Sequence, residues 1–171
     1  RLLIASGASA FAPAFEGLDP ADAFYMRTVD DAVKLKQELA DKPHHSALVV
    51  GASMVGIKVV ELLNNRGIHT VFADMATRIF PLAAYPEIST EIEERISKKG
   101  IQLALGSALQ KAEKTEDGYH CYMSDGSAID VDLIVLCIGT RANTKVANPE
   151  EIKINRAFVV DHGMATSHPD I

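Results

Sequence analysis

The sequence predicts an α/β fold: a doubly wound parallel sheet in which a three-stranded antiparallel meander replaces one crossover helix. Three observations predict it. Residues 47–105 alternate short apolar, strand-like runs with helical patterns, which is the order of a parallel sheet with crossover helices. Turn signals at 116–118 and 125–126 then divide residues 108–130 into three short alternating segments. The continuous apolar run 132–138 is typical of a strand buried on both faces.

Composition limits the possible partners and compartment. The chain has 171 residues, 47% of them hydrophobic, and a formal net charge of −6. This acidic balance argues against nucleic acid and anionic membrane surfaces as partners, and no apolar run approaches the ~20 residues of a membrane span. Cys121 and Cys137 form no C-x-x-C pair. We expect Cys137 to be buried in an apolar strand, Cys121 to lie on a strand of alternating residues, and neither to form a disulfide, in a cytoplasmic protein.

The N-terminal third is predicted to hold one strand and one helix. Residues 1–9 are apolar and predict a strand, which a loop follows. Thr28 with Asp31 three positions later resembles a capping box, and the helix that it opens is expected to end near Asp41. The next residues include two adjacent histidines, His44 and His45, which we interpret as a solvated connector because their spacing does not favour a metal.

A glycine turn joins the first central strand to a helix and is the main candidate for a cofactor site. The strand covers 47–50, and the helical pattern places Val55, Val59 and Leu63 four residues apart. The turn itself comprises Gly51, Ala52, Ser53, Met54, Val55 and Gly56. Its first glycine permits a tight turn, its last permits close packing of helix on strand, and the helix N-terminus favours a phosphate. The alternative is a turn that binds nothing.

Serine replaces the middle glycine of this G-x-G-x-x-G pattern. The Ser53 hydroxyl is expected either to bond a phosphate or to cap the helix. Gly67 is expected to stop the helix, and a second strand over 69–73 then ends at Asp74. An acidic residue about 20 positions beyond the turn suits the ribose 2′-OH of NAD and repels the 2′-phosphate of NADP. The alternative for Asp74 is an exposed turn residue.

The C-terminal half continues the alternation. Pro86 is expected to open an amphipathic helix that Gly100 closes, and a third strand covers 101–105. The isoleucines of that helix recur every four residues, at Ile88, Ile92 and Ile96. The tail 158–171 is predicted to hold one more strand and a polar loop.

Six motifs in order resemble the pyridine nucleotide-disulfide oxidoreductase family of flavoproteins. They are IASGA at 4–8, TVDDA at 28–32, the glycine fingerprint at 50–61, DMATRIFP at 74–81, LCIGTRAN at 136–143, and the segment 159–171. Within the family, the segment at Asp74 and the pattern at 86–91 are most similar to the NADH oxidase, NADH peroxidase and coenzyme A-disulfide reductase branch.

The resemblance implies a Rossmann-like fold and a division of the chain into parts of two domains. It implies an NAD-binding domain over 28–144, flanked by pieces of an FAD domain at 1–27 and 145–171. The rest of the FAD domain, any redox cysteine and a C-terminal dimerisation domain would lie outside these residues, in a parent enzyme expected to be a homodimer. By resemblance the cofactor-binding residues are Gly51, Ala52, Ser53, Met54, Val55, Gly56, Asp74, Arg78, Ile138 and Gly139. No catalytic residue and no metal ligand is implied, so the fragment alone is expected to bind NADH without turnover.

Two departures keep other functions open. The family usually has glutamate at the position of Lys58, close to the nicotinamide and flavin, and glycine at the position of Ser53. One alternative is therefore a nucleotide-binding domain that has lost hydride chemistry. A further alternative, independent of these departures, is a related flavoprotein reductase that serves a ferredoxin or nitrite-reductase partner.

Overall fold

The computed structural model describes all residues, 1–171, and they form two compact units. One unit combines residues 1–11 with 139–171, and the other comprises 12–138. The larger unit therefore begins earlier and ends earlier than the predicted NAD-binding domain, 28–144. The assignment of the chain's two ends to an FAD domain remains a prediction.

The secondary structure comprises ten strands and three helices. In chain order they are β1 (Ala8–Ala10), β2 (Phe24–Tyr25), α1 (Val29–Asp41), β3 (Ser46–Val50), α2 (Met54–Asn64), β4 (His69–Asp74), α3 (Pro86–Lys98), β5 (Gln102–Leu105), β6 (Leu109–Lys114), β7 (Tyr119–Met123), β8 (Ala128–Val131), β9 (Leu133–Leu136) and β10 (Thr140–Ala142).

The larger unit is built on a five-stranded parallel sheet in the order β2-β9-β3-β4-β5. Side chains of β3 alternate between two cores, as the period of a strand requires. Ala47 and Val49 pack with buried residues of the three helices, whereas Leu48 and Val50 pack with buried residues of the antiparallel sheet β6-β7-β8. Helices thus cover one face and the meander covers the other, which confirms the predicted fold class.

The helix boundaries confirm the end signals in the sequence. Thr28 caps α1: its Oγ1 accepts the Asp31 N–H at 3.2 Å, while Asp31 Oδ2 accepts the Thr28 N–H at 2.7 Å. Burial acts to raise the pKa of Asp31, but these hydrogen bonds outweigh it and lower the pKa. Pro86 occupies the first turn of α3, and Gly100, with φ of +82°, follows it. None of the helices has the length and apolarity needed to cross a bilayer.

The two ends of the chain differ from the prediction. Residues 1–7 are not a strand, and only Ala8–Ala10 pairs, antiparallel to β10. The tail has no strand either, only an isolated bridge between Ile154 and Phe158. An apolar run becomes a strand where a neighbour supplies backbone partners and cover. Leu3, 85% exposed, has no such cover. The strands β2 and β10 were missed because two or three residues show no periodicity.

The prediction of a solvated connector after α1 is half wrong. His45 is exposed, but the His44 side chain is only 8% exposed and its Nε2 lies 3.2 Å from Glu38 Oε1. A histidine three residues past a helix end folds back onto the last turn when a carboxylate there offers a partner. The sequence pattern does not reveal this contact.

Both cysteines are unpaired, and Cys137 is buried, as predicted; Cys121, on β7, is buried as well. Burial raises the pKa of the Cys121 thiol and of the Cys137 thiol to about 12. Thiolate, not thiol, is the nucleophile, so neither cysteine is a reactive group near neutral pH.

Candidate nucleotide-binding site

The glycine turn between β3 and α2 needs both of its glycines. Gly51 has φ of +110°, and a Cβ there would collide with the Cys137 carbonyl oxygen. A Cβ on Gly56 would collide with the Gly51 carbonyl oxygen and approach Phe72 Cε2 to 2.9 Å. The first glycine therefore permits the turn and the second permits the helix to pack on the sheet, as predicted from the motif.

Ser53 caps α2. Its Oγ accepts the Gly56 N–H at 3.2 Å and donates to the Cys137 carbonyl oxygen, also at 3.2 Å. The hydroxyl hydrogen is thus committed to the neighbouring strand end. Of the two roles predicted for this serine, the structure supports the helix cap.

Two main-chain donors at the helix N-terminus have no acceptor. The Ser53 N–H donates to the Gly51 carbonyl oxygen at 2.8 Å and the Gly56 N–H donates to Ser53, which leaves the N–H groups of Met54 and Val55. These two residues are 67% and 44% exposed. Val55 therefore does not join Val59 and Leu63 in the core, because it lies on the open first turn. Free amides and the positive end of the helix dipole favour an anion here.

Asp74 ties the turn to the loop that follows β4. Its Oδ2 accepts the Ala52 N–H at 2.6 Å, and its Oδ1 accepts the Ala76 N–H at 2.7 Å. The residue is partly buried. Each carboxylate oxygen has a further lone pair for another donor. Asp74 is therefore not a loosely exposed turn residue, and it retains the capacity to accept a hydroxyl.

Arg78 is engaged within its own loop. Its Nη1 donates to the Ala84 carbonyl oxygen at 2.6 Å and to Ser89 Oγ at 3.1 Å, and its Nη2 donates to the Pro81 carbonyl oxygen at 2.6 Å. The guanidinium thus joins the loop after β4 to the first turn of α3. Its predicted contact with a cofactor remains a prediction.

The other two predicted residues follow β9. Ile138 is partly buried and packs against the core beneath the meander. Gly139 belongs to the smaller unit, has φ of +95°, and its carbonyl oxygen accepts the Phe11 N–H at 3.0 Å. Their contact with a nicotinamide remains a prediction.

Lys58 lies on the exposed side of α2. Its side chain is 77% exposed and its Nζ lies 2.9 Å from Glu61 Oε2, one turn further along the helix. The positive charge is therefore paired locally, and pairs as exposed as this contribute little to stability.

Sequence reasoning missed how firmly the turn is held from the side of β4. Phe80 has φ of +51°, and its N–H donates to the Ala52 carbonyl oxygen at 3.1 Å. With Asp74 on the Ala52 N–H, both main-chain groups of Ala52 are fixed. The one available signal is Ser89, a small polar residue on the inner side of the predicted amphipathic helix, which is only 1% exposed.

A cavity of about 340 Å³ lies between α2 and α3. Its lining is largely apolar, with Ile57, Val60, Ile92 and Ile96 among its residues. It lies beside the glycine turn and shares Met54 with it. The cavity is a gap in the packing of the two helices, and Val55, the second residue with a free amide, is not among its lining residues.

Comparison with known proteins identifies the family. The profile of the pyridine nucleotide-disulphide oxidoreductases matches residues 1–171. An NADH oxidase of Methanocaldococcus jannaschii is 30% identical over 99% of this chain and 38% of its own length. A nitric oxide reductase FlRd-NAD(+) reductase of Salmonella gallinarum is 30% identical over the whole chain and 44% of its own length. A crystal structure of a ferredoxin reductase from Rhodopseudomonas palustris matches with a TM-score of 0.86 at 25% identity, over 95% of this chain and 40% of that one.

These matches agree with the architecture and with the predicted order of motifs. The chain spans about two fifths of the length of the curated relatives that it matches. The family match nevertheless covers every residue, including the glycine turn and Asp74. The chain belongs to the pyridine nucleotide-disulphide oxidoreductase family.

Proposed function

We propose that this chain is the NAD(H)-binding part of an FAD-dependent oxidoreductase. One observation carries the proposal: two free amides at the N-terminus of α2 and the carboxylate of Asp74 lie at the carboxyl edge of one parallel sheet. Open α/β sheets bind nucleotides at this edge.

The pyrophosphate of NADH fits the glycine turn. The N–H groups of Met54 and Val55 are the donors for its oxygens, and the dipole of the 11-residue helix α2 adds to their attraction. A side chain at Gly51 or Gly56 would strike backbone, so the close approach of strand and helix is built into the turn.

Asp74 is the group that selects NADH over NADPH in this proposal. Ala52 and Ala76 orient its carboxylate, and the remaining lone pairs accept the hydroxyls of the adenosine ribose. A 2′-phosphate would place like charges in contact. The residues directly after it, Met75 and Ala76, offer no positive charge to compensate.

Ile138 and Gly139 are the residues we assign to the nicotinamide end. Both follow β9, whose carboxyl end pairs in register with that of β3. When bound, NADH supplies a hydride that the flavin of the parent enzyme accepts. This chain binds and orients the nucleotide, and the remaining FAD domain and a homodimer interface belong to the parent protein.

A second candidate is a reductase whose acceptor is a protein. Two of the matched proteins favour it, the ferredoxin reductase and the FlRd-NAD(+) reductase. Both candidates assign the same role to the residues described above and differ only in where the electrons go.

The candidate that has lost hydride chemistry has less support. This candidate was suggested by Ser53 and Lys58, which depart from the family pattern. Both fit their local structure: Ser53 caps α2, and Lys58 forms a surface ion pair. Neither residue obstructs the free amides.

Calorimetric titration of the chain with NADH, and separately with NADPH, tests the proposal. We expect NADH to bind more tightly than NADPH, and Asp74→Ala to weaken NADH binding by at least tenfold, since a hydrogen bond to a charged group is worth about 1.5–3 kcal/mol. Asp41→Ala, at the exposed end of α1, is the matched carboxylate control. Equal loss in both variants, or no binding by the wild-type chain, would contradict the proposal.

A further inference from the structure

We infer that Arg78 is a positioning residue: it holds the 78–84 loop so that Phe80 fixes the glycine turn, without touching the nucleotide. The inference rests on the function proposed above, and it assigns to Arg78 a role other than cofactor contact.

The guanidinium acts as a fork within the loop. It donates to the carbonyl oxygens of Pro81 and Ala84 and to Ser89 Oγ, at 2.6 to 3.1 Å. No carboxylate lies within ion-pair distance of it. Its charge is therefore directed at carbonyl and hydroxyl dipoles of the loop and of α3, and hydrogen bonds of this charged kind are the strong ones.

Helix α3 holds the other side of the same loop. The buried Ser89 hydroxyl donates to the Ile79 carbonyl oxygen at 2.7 Å, and Glu93 Oε1 accepts the Ile79 N–H at 2.9 Å. Ser89 thus links Arg78 to Ile79, because its oxygen accepts from one and donates to the other.

Phe80 is the strained point that this network supports. Its φ of +51° lies in the left-handed region, which costs a non-glycine residue roughly 1–2 kcal/mol, and Pro81 restricts it further. Strain of this kind persists where the surroundings over-determine the backbone. Here the Phe80 carbonyl oxygen accepts the N–H groups of both Ala83 and Ala84 at 3.0 Å.

Two main-chain hydrogen bonds connect the conformation of Phe80 to the glycine turn. Phe80 N–H donates to the Ala52 carbonyl oxygen, and the Ala52 N–H donates to Asp74. Ala52 precedes the helix cap Ser53, so release of Phe80 would shift the peptide planes that lead to the two free amides. Arg78 therefore acts on nucleotide affinity through Phe80 and Ala52.

Arg78→Met and Arg78→Lys distinguish this role from direct contact with phosphate. We expect both variants to weaken NADH binding by about tenfold, the cost of one such hydrogen bond, because lysine cannot make the fork. The slope of affinity against salt concentration should stay unchanged, since no charge facing the nucleotide is lost. Recovery by Arg78→Lys with a reduced slope in Arg78→Met would overturn the inference.

The amide resonance of Ala52 in the unliganded chain provides a readout independent of binding. We expect it to shift in Arg78→Met and also in Ser89→Ala, which removes one of the acceptors of Arg78 together with the hydrogen bond to the Ile79 carbonyl oxygen. If the wild-type chain fails to bind NADH, the proposed function fails while this shift still tests the positioning role. Should Arg78→Met not fold, Ser89→Ala decides, and an unmoved Ala52 resonance in a folded variant would refute the inference.

Discussion

The two edges of the parallel sheet each hold an aspartate, and the aspartates are used differently. At the amino edge, Asp132 accepts the N–H groups of His45 and Ser46 and the Ser46 hydroxyl, and its own N–H donates back to that hydroxyl oxygen. Burial acts to raise the pKa of Asp132, but these donors outweigh it and lower the pKa. At the carboxyl edge, Asp74 accepts only two N–H groups, one on each oxygen.

The difference shows what makes an edge available to a ligand. At the amino edge, the N–H groups of His45 and Ser46 and the Ser46 hydroxyl all donate to Asp132, so these donors are not available to a ligand. The carboxyl edge leaves the amides of Met54 and Val55 without acceptors, at the positive end of α2. Hydrogen bonding is thus satisfied within the chain at one edge, whereas two main-chain donors have no acceptor at the other.

The largest expected effect comes from disturbing the open edge at Gly51. We expect Gly51→Ala to destabilise the chain by about 3 kcal/mol or more, because a left-handed backbone and a clash with the Cys137 carbonyl add together. Urea denaturation measures it.

Gly126→Ala is the control for this prediction. Its φ of +87° imposes similar backbone strain, but nothing lies within 4 Å of the new Cβ. It should cost only about 1–2 kcal/mol. Equal costs at the two glycines would mean that the close approach at the turn is not a constraint.

Removing the two carboxylates should separate stability from binding. We expect Asp132→Ala to destabilise the chain by about 2 kcal/mol, since it leaves several donors unpaired, and to leave NADH affinity unchanged. Asp74→Ala should instead weaken NADH binding, with a smaller stability loss of about 1 kcal/mol, because it leaves two donors unpaired where Asp132→Ala leaves three. Thermal unfolding measures the stability of both variants, and calorimetric titration measures their NADH affinity. Equal losses of stability and of affinity in the two variants would contradict this contrast.

The helix cap gives a smaller effect. Ser53→Ala is expected to cost about 1 kcal/mol, whereas Ser53→Gly should cost only a few tenths, as at other N-caps. The same denaturation series measures both. A larger loss for glycine than for alanine would contradict the assignment of residue 53 as the N-cap of α2.

The smallest effect is a pH dependence at the closed edge. Because the folded-state pKa of Asp132 lies below its ordinary value of 3.8, its ionised form contributes stability at higher pH, which is lost as the pH falls below about 4. The stability difference between wild type and Asp132→Asn should therefore shrink between pH 5 and pH 3, values set by the usual range of such titrations. A constant difference across this range would contradict the assignment.

Local sequence signals predicted the fold well where the structure of an element depends on its own residues and not on contacts with the rest of the chain. The capping box at Thr28, Pro86 at a helix start and the glycines at hairpin turns all operate within a few residues. The strand predicted over 1–9 failed because strand formation depends on a partner that the residues themselves do not specify. The site was predicted only as a set of positions. The role of Phe80 and the internal fork of Arg78 depend on contacts between α3 and the loop, and no spacing rule encodes them.

The most direct test is to map NADH on the amide spectrum of the isotope-labelled chain. Binding at the carboxyl edge predicts the largest shifts over residues 51–56 and 74–76, with the resonances of His45 and Ser46 unmoved. Shifts centred on His45 and Ser46, or spread without preference over both edges, would contradict the assignment of the nucleotide site to the glycine turn.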